Sequence, residues 1–368
     1  MKQTDKITIF HLTLLAMMAI GLKNHVIVIP PLIQTAGRDA WISVIIVFFL
    51  TLGWCVLLIY IHRGTNREHL YFWLKQSYGK WMARLLVFFL SFYIMIIVAT
   101  TLRETISWTK VTFLIETPAI VLTILFIVPC FLAALTSLRA IATANFFLLL
   151  MVNVLGFFVA TANLQFKDHS LLLPILENGF MPVLKALIYQ GSGMVEMILF
   201  ILFQHKLHSE LRYHHLLINS MILTGLTLGP LTGAIIEFGP TEASLQRFPA
   251  YEEWGLVKIG NLVQHVDYLS IYQWLSGAFI RISLGLFLLR EAMYKTDEQK
   301  GKKDRWIVLV ASLLISIFVM LPINDIQFFH LLIHILLPAT FWIFFSFTLL
   351  LGFLVFINRR KVKKEVGS

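Results

Sequence analysis

Apolar residues fall in long blocks along the chain. Windows poor in charge lie near 7–33, 40–62, 82–106, 117–136, 142–163, 180–203, 213–236, 268–290, 306–322 and 334–357. A helix rises about 1.5 Å per residue and the hydrocarbon layer is about 30 Å thick, so a block of about 20 residues spans it. The pattern predicts an all-α integral membrane protein, a single transmembrane domain over 1–368 with ten transmembrane helices. Two windows carry a polar interruption at their middle: "GLKNH" at 21–25 in the first and "QGSG" at 190–193 in the sixth.

Those interruptions recur at matching places if the chain is halved. Repeat one then runs over about 7–163 and repeat two over about 180–357, with a basic tail at 358–368. Five spans per half turn the second half over, which gives a 5+5 inverted repeat with interrupted helices one and six. A second feature also recurs. Leu70, Trp73, Leu74 and Tyr78 form an apolar stripe after the second span, and Leu256, Ile259, Val263 and Val266 form one after the seventh. The second stripe, within 254–266, is expected to pack over the outer mouth of a cavity.

Composition agrees: 58% of residues are hydrophobic and only 14% charged, while the net charge is +10. That basicity is not a nucleic-acid footprint, because the cations sit in short loops without interleaved exposed aromatics. With the N-terminus placed in the cytoplasm, the inside segments carry 20 Lys and Arg and the outside loops only six, Arg38, Arg103, Lys110, Lys167, Arg247 and Lys258. Loop cations favour the cytoplasmic side, so both termini are expected there. Lys2 and Lys6 before an apolar run resemble a signal peptide, but no small-residue cleavage site follows and the segment reads as a retained first span. Cys55 and Cys130 lie inside apolar runs and read as buried hydrophobes.

Helix breaks at membrane depth free backbone groups, which are tolerated only where they line a protein-enclosed cavity. The candidate ligand-binding residues are therefore Gly21, Leu22, Lys23 and Asn24 in the first break, and Gln190, Gly191, Ser192 and Gly193 in the second. Half-helices starting after the breaks would aim positive dipole ends at a carboxylate. For the glycines, close helix packing is the competing reading. Ile7 to Lys23 is about 24 Å of helix, too deep for the ammonium to reach water freely. Its partner is either a ligand carboxylate or Glu196, which follows the second break by about a turn. Glu196 reads as a coupling or gating group or as a structural partner of Lys23 or Lys185, and Arg281 in span eight as a third coupling or gating residue. Arg103 and Glu104, near the outer end of span three, are expected to reach the interface.

His11, His205, His208, His214, His215, His330 and His334 mostly sit near span ends, and neither "HSELRYHH" nor the 330–334 pair has metal-site order. No catalytic set, metal site or cofactor motif is found, and an enzyme is not expected.

"IPPL" followed by "GRDAWI", "GMVE" in span six, and "RFPAYEEWGLVKIGNLVQHVDYLSIYQW" leading into span eight together resemble the B subunits of bacterial spore germinant receptors. That spore germination permease family is related to amino acid–polyamine–organocation transporters. The resemblance implies a LeuT-like fold and a nutrient-sensing protein of the spore inner membrane. It also implies an A subunit and a C-subunit lipoprotein as partners, and a small germinant such as an L-amino acid as ligand. Relatives often carry Arg before the acid at the entry to span eight, whereas here Gln264 and His265 precede Asp267. Two functions stay open: a receptor that signals on binding, or a transporter coupling amino-acid flux to a proton or cation.

Overall fold

The computed structural model describes residues 5–258, 266–292 and 302–366. In lipid a helix satisfies its own backbone groups, and every apolar block is helical here. The only β pairing among the described residues is a parallel bridge between Ile7 and Leu207. In chain order the helices are α1 (Ile9–Leu22), α2 (Ile29–Ala36), α3 (Ala40–Gly64), α4 (Leu70–Tyr78), α5 (Lys80–Thr112), α6 (Ala119–Ala134), α7 (Leu138–Ala162) and α8 (Met181–Met194). They continue with α9 (Leu199–Leu202), α10 (Tyr213–Phe238), α11 (Pro240–Leu245), α12 (Pro249–Gly255), α13 (Leu269–Ala292), α14 (Lys302–Val319), α15 (Asp325–Leu331) and α16 (Leu337–Val366).

Among the described residues, seven helices are long and apolar enough to cross a membrane. Ile9–Gly64 is one continuous helical run of 56 residues that holds the first two expected spans, and α6 and α14 are shorter apolar helices. The spans differ sharply in burial. Of the most apolar window, 78% is buried in Met181–Leu202 and 72% in α13, against 22% in Leu138–Phe166. The first two therefore form the inner wall of the bundle. α13 packs against α1, α5, α6, α7 and α14, while α8 packs against α2, α3 and α16. Phe88, Leu125 and Phe157 point outward and exposed, as lipid-facing side chains would.

Neither expected break is an unwound segment. Gly21 and Leu22 are ordinary α-helix, and the departure begins at Lys23, where Lys23–Ile27 winds as a π-helical turn. The Val28 amide reaches back five residues to the Lys23 carbonyl at 3.1 Å. The QGSG residues are also α-helical, and the change comes one turn later, as a 3-10 turn at Val195–Ile198 before α9. A π turn takes in an extra residue without leaving the ladder open. In the first span the ladder nevertheless lapses after the π turn, because Val28 is a bend and Pro30 and Pro31 have no N–H to give, so α2 starts anew at Ile29; in the sixth span the winding changes from α to 3-10 and back without such a bend.

α4 buries Leu70, Trp73 and Leu74 against the protein, and the Tyr78 hydroxyl donates to the Leu354 carbonyl. Of the second expected stripe, Ile259 and Val263 lie outside the described residues, as do Gln264 and His265 and connector residues 293–301. Val257 and Val266, which flank that gap, are buried with Trp254 against Leu155 and Val159 of α7.

Candidate functional site

The two most buried spans meet through charge. Glu196 stands in the 3-10 turn after α8, Arg281 at the middle of α13, and Lys23 opens the π turn after α1. Arg281 grips Glu196 with both terminal nitrogens, Nη1 to Oε2 at 2.7 Å and Nη2 to Oε1 at 2.8 Å. Lys23 Nζ donates to Glu196 Oε1 at 3.0 Å and to the Ser192 carbonyl at 2.8 Å. Arg281 also donates to the Ala19 carbonyl at 2.6 Å and, from Nε, to Thr101 Oγ1 at 3.0 Å. The planar fork of arginine matches a carboxylate in two-point contact, which fixes the geometry as well as the charge.

All three side chains are buried, none more than 9% exposed. Two cations and one anion leave a net charge of +1 in a low-dielectric interior, where an uncompensated charge is costly. Arg281 Nη2 and Lys23 Nζ each make fewer hydrogen bonds here than they have hydrogens, which leaves one donor on each for a further acceptor.

A cavity of about 20 Å³ adjoins the triad, lined by Lys23, Ile27, Ile96, Ile97, Thr100, Thr101, Glu196, Arg281, Leu332, Leu336, Leu337 and Thr340. That is room for about one water. Lys23 and Ile27 belong to the first π turn, Glu196 to the 3-10 turn, and Leu332 and Leu336 to a second π turn, Leu332–Leu336, between α15 and α16. Three departures from α-helical period thus converge on one void with an apolar wall and charged groups on one side, and π turns are frequent at functional sites. Thr100 and Thr101 donate to carbonyls one turn back on α5 and present lone pairs, and Tyr93 donates to Thr340 Oγ1 at 2.7 Å.

Of the candidate residues read from the sequence, Lys23, Glu196 and Arg281 come together at this cavity. Gly21, Leu22, Asn24, Gln190, Gly191, Ser192 and Gly193 do not line it. The glycines make close packing possible: a Cβ on Gly21 would meet Leu226, on Gly191 the Phe341 ring, and on Gly193 the Asn24 carboxamide. Leu22 covers Gly277, and Ser192 spends its hydroxyl on the Tyr189 carbonyl but lends its own carbonyl to Lys23. Gln190 is fully buried with neither carboxamide atom hydrogen-bonded. Lys185 is exposed and takes no part. The sequence reading missed the threonines of α5 and the whole second π turn. Hydroxyls spaced along an otherwise apolar helix were the available signal for the former; the second π turn carries a single polar residue, the exposed His334, which points to no change of winding.

Both ends of the bundle are fastened. At one end Arg247 joins Glu104 of α5 at 2.6 Å and Asp325 of α15 at 3.2 Å, and its guanidinium lies over Phe248 and Phe329. Glu104 is buried, so it does not reach the interface as expected. Arg103 donates to the Val319 and Ile323 carbonyls. Beneath them Trp108 stacks on Trp274 at 4.3 Å, with Phe113, Tyr251 and Phe248 edge-on. At the opposite end Lys206 pairs with Asp5 at 2.5 Å and Glu291 at 2.9 Å. There His69, which caps α4 through Nδ1, lies 4.5 Å from the His205 ring. Burial first, and the neighbouring His205 second, push His69 down to about 3, which keeps it neutral.

Among the described residues no group of three His, Cys, Asp or Glu could hold a metal ion. A family model described as "Spore germination protein" matches residues 5–328. "Spore germination protein XB" of Bacillus anthracis is 39% identical over 355 residues, covering 96% of this chain and 99% of that protein. "Spore germination protein GerQB" of Bacillus cereus is 23% identical over 325 residues, covering 86% and 85%.

Proposed function

This chain belongs to the spore germination protein family, and on that premise we propose that it is the B subunit of a nutrient germinant receptor that binds a small germinant bearing a carboxylate, an L-amino acid. The observation that carries this reading is the net +1 charge of Lys23, Glu196 and Arg281, three buried side chains that line one cavity. A ligand carboxylate supplies the missing negative charge, and an amino acid's ammonium finds the hydroxyl oxygens of Thr100, Thr101 and Thr340 nearby. About 20 Å³ is too small for any amino acid, so binding requires the turns at 23–27 and 332–336 to move apart. Such movement couples ligand to conformation, because a ligand shifts an equilibrium only by its different affinity for the two states.

In this reading the ten apolar segments form the 5+5 inverted repeat. The chain sits in the spore inner membrane with both termini in the cytoplasm, beside an A subunit and a C-subunit lipoprotein. The fastenings at Arg247 and Lys206 then close the outer and inner ends, a state in which the site is occluded. Occlusion from both sides also suits a proton- or cation-coupled amino-acid transporter, and uptake of labelled amino acid into proteoliposomes separates the two.

The binding claim is tested by thermal stabilisation of the purified protein with a panel of L-amino acids and the corresponding amides, since a ligand selective for the folded state raises its apparent stability. At least one acid is expected to stabilise and its amide not to. Equal stabilisation by acid and amide would remove the carboxylate from the argument.

A further inference from the structure

Glu196 has both carboxylate oxygens held by Arg281 and Lys23, which leaves it no role in carrying a proton without breaking the triad. A different buried carboxyl has no ion pair among the described residues. Glu253 of α12 is 8% exposed, and its Oε1 has no hydrogen-bond partner. Its carboxyl group rests on α10 where Gly233 lacks a side chain: a Cβ there would lie 2.8 Å from Oε1. One turn along α10 comes Glu237, whose side chain is 1% exposed.

Asn163, at the end of α7 and fully buried, ties these elements together. Its Nδ2 donates to Glu237 Oε2 at 2.9 Å and to the Glu253 backbone carbonyl at 2.7 Å. Both partners are acceptors only, so the orientation of the carboxamide is fixed and Oδ1 is left as an acceptor with no donor. Glu237 Oε1 has only the distant Lys167 ammonium, at 3.6 Å. Glu253 Oε1, Asn163 Oδ1 and Glu237 Oε1 are thus buried oxygens without a hydrogen-bond partner on three elements that Asn163 joins, and the two carboxylates and one lysine sum to −1 when both acids are ionised. Buried acceptors left without donors cost free energy, and one proton removes the excess charge and supplies one O–H donor.

We propose that Glu253 is a proton-binding site: its neutral carboxyl donates its one O–H to an acceptor of Asn163 or Glu237, and the bound proton fastens α12 onto α7 and α10. Burial, and then the Glu237 charge, raise Glu253 well above the ordinary carboxylate range, with Lys167 and a hydrogen bond from the Ala234 backbone amide opposing. The charged groups facing it are Glu237 from α10 and Lys167 from the segment after α7. On its own helix Glu252 is exposed and faces Glu242 of α11, and Tyr251 donates to Asp267 just before α13, whose Gln273 bonds Trp254; the π turn at 23–27, which also packs against α12, presents His25, bonded to the Leu226 carbonyl. A carboxyl raised on docking binds its proton more tightly in the docked form. Docking is therefore strongest in acid and weakens as pH rises toward and through the raised value.

The test is infrared spectroscopy of the full chain in bilayers over a pH series, for wild type, Glu253→Gln and Glu237→Gln. Wild type at neutral pH is expected to show a protonated-carboxyl C=O band that Glu253→Gln loses, and Glu237→Gln to move its titration to lower pH by removing a like charge. Spin labels at the exposed positions 165 and 252 read the docking: the separation should lengthen above the band's midpoint in wild type and stay short in Glu253→Gln. Absence of a Glu253-dependent protonated band at neutral pH overturns the proposal. So do carboxylate bands that respond to Na⁺, K⁺ or Ca²⁺ in a Glu253-dependent way, which would make this a metal site. If Glu253→Gln does not accumulate, the Glu237→Gln comparison decides, and an unmoved titration overturns the proposal.

Discussion

Lys23 and Glu196 stand 173 positions apart in the chain and 3.0 Å apart in space, yet Lys23 is the lesser of the two partners of Glu196. Arg281 alone already engages both oxygens of the carboxylate. The two ends of the Lys23–Glu196 pair should therefore respond unequally to mutation.

Glu196→Gln leaves two buried cations without a counter-charge and is expected to lose about 3–5 kcal/mol of stability, the usual cost of breaking a buried pair. Lys23→Met leaves a neutral Arg281–Glu196 pair and should fall within about 1 kcal/mol of wild type. It should nevertheless lose stabilisation by carboxylate ligands. Thermal unfolding of both variants, with and without amino acid, checks this. A Lys23→Met protein that is stabilised as strongly as wild type would take the lysine out of the binding site.

Gly193 and Gly191 separate in the same way. A methyl group on Gly193 falls on the Asn24 carboxamide, which is itself held in a buried setting. Gly193→Ala is expected to cost about 1–3 kcal/mol, as overpacking does. On Gly191 the methyl meets the edge of the Phe341 ring at 2.8 Å, and a ring that is only partly buried can shift. Gly191→Ala should cost less than Gly193→Ala, and the reverse order in denaturation midpoints would count against this packing.

His69 makes acid stability testable. Held down to about 3 in the folded protein, it stays neutral where the unfolded chain, at about 6.5, takes up a proton. The unfolded state then binds more protons, so stability falls as pH drops from about 6.5 toward 3, by at most about 1.4 kcal/mol per pH unit from this group. His69→Asn keeps a side-chain acceptor for the Tyr71 amide at the start of α4 and removes the titration. Melting temperatures across this range should slope less for the variant, and an identical slope would assign the acid sensitivity elsewhere.

The orientation is tested by single cysteines at 75 and 168, both exposed, in a background without Cys55 and Cys130. An impermeant thiol reagent should reach them from opposite sides of the membrane. Labelling from one side would overturn the proposed topology.

The sequence by itself determined the class of this protein and much of its one-dimensional plan. Apolar blocks long enough for a bilayer had to become helices, because only a helix closes its own backbone bonds in lipid. Lys23, Glu196 and Arg281 could be singled out for the same reason: charge inside such blocks is costly and must be housed. Only the tertiary structure decided how they are housed. Arg281 lies 85 positions from Glu196, and whether their side chains meet depends on how each helix is rotated about its axis, which hydropathy leaves open when a span is apolar all round. The same freedom hid Asn163, Glu237 and Glu253, three polar residues near helix ends whose convergence comes from the docking of α12. The turns at 23–27, 195–198 and 332–336 stayed hidden for a local reason: a shift from α to π or 3-10 winding is a small backbone change, selected by what packs around it.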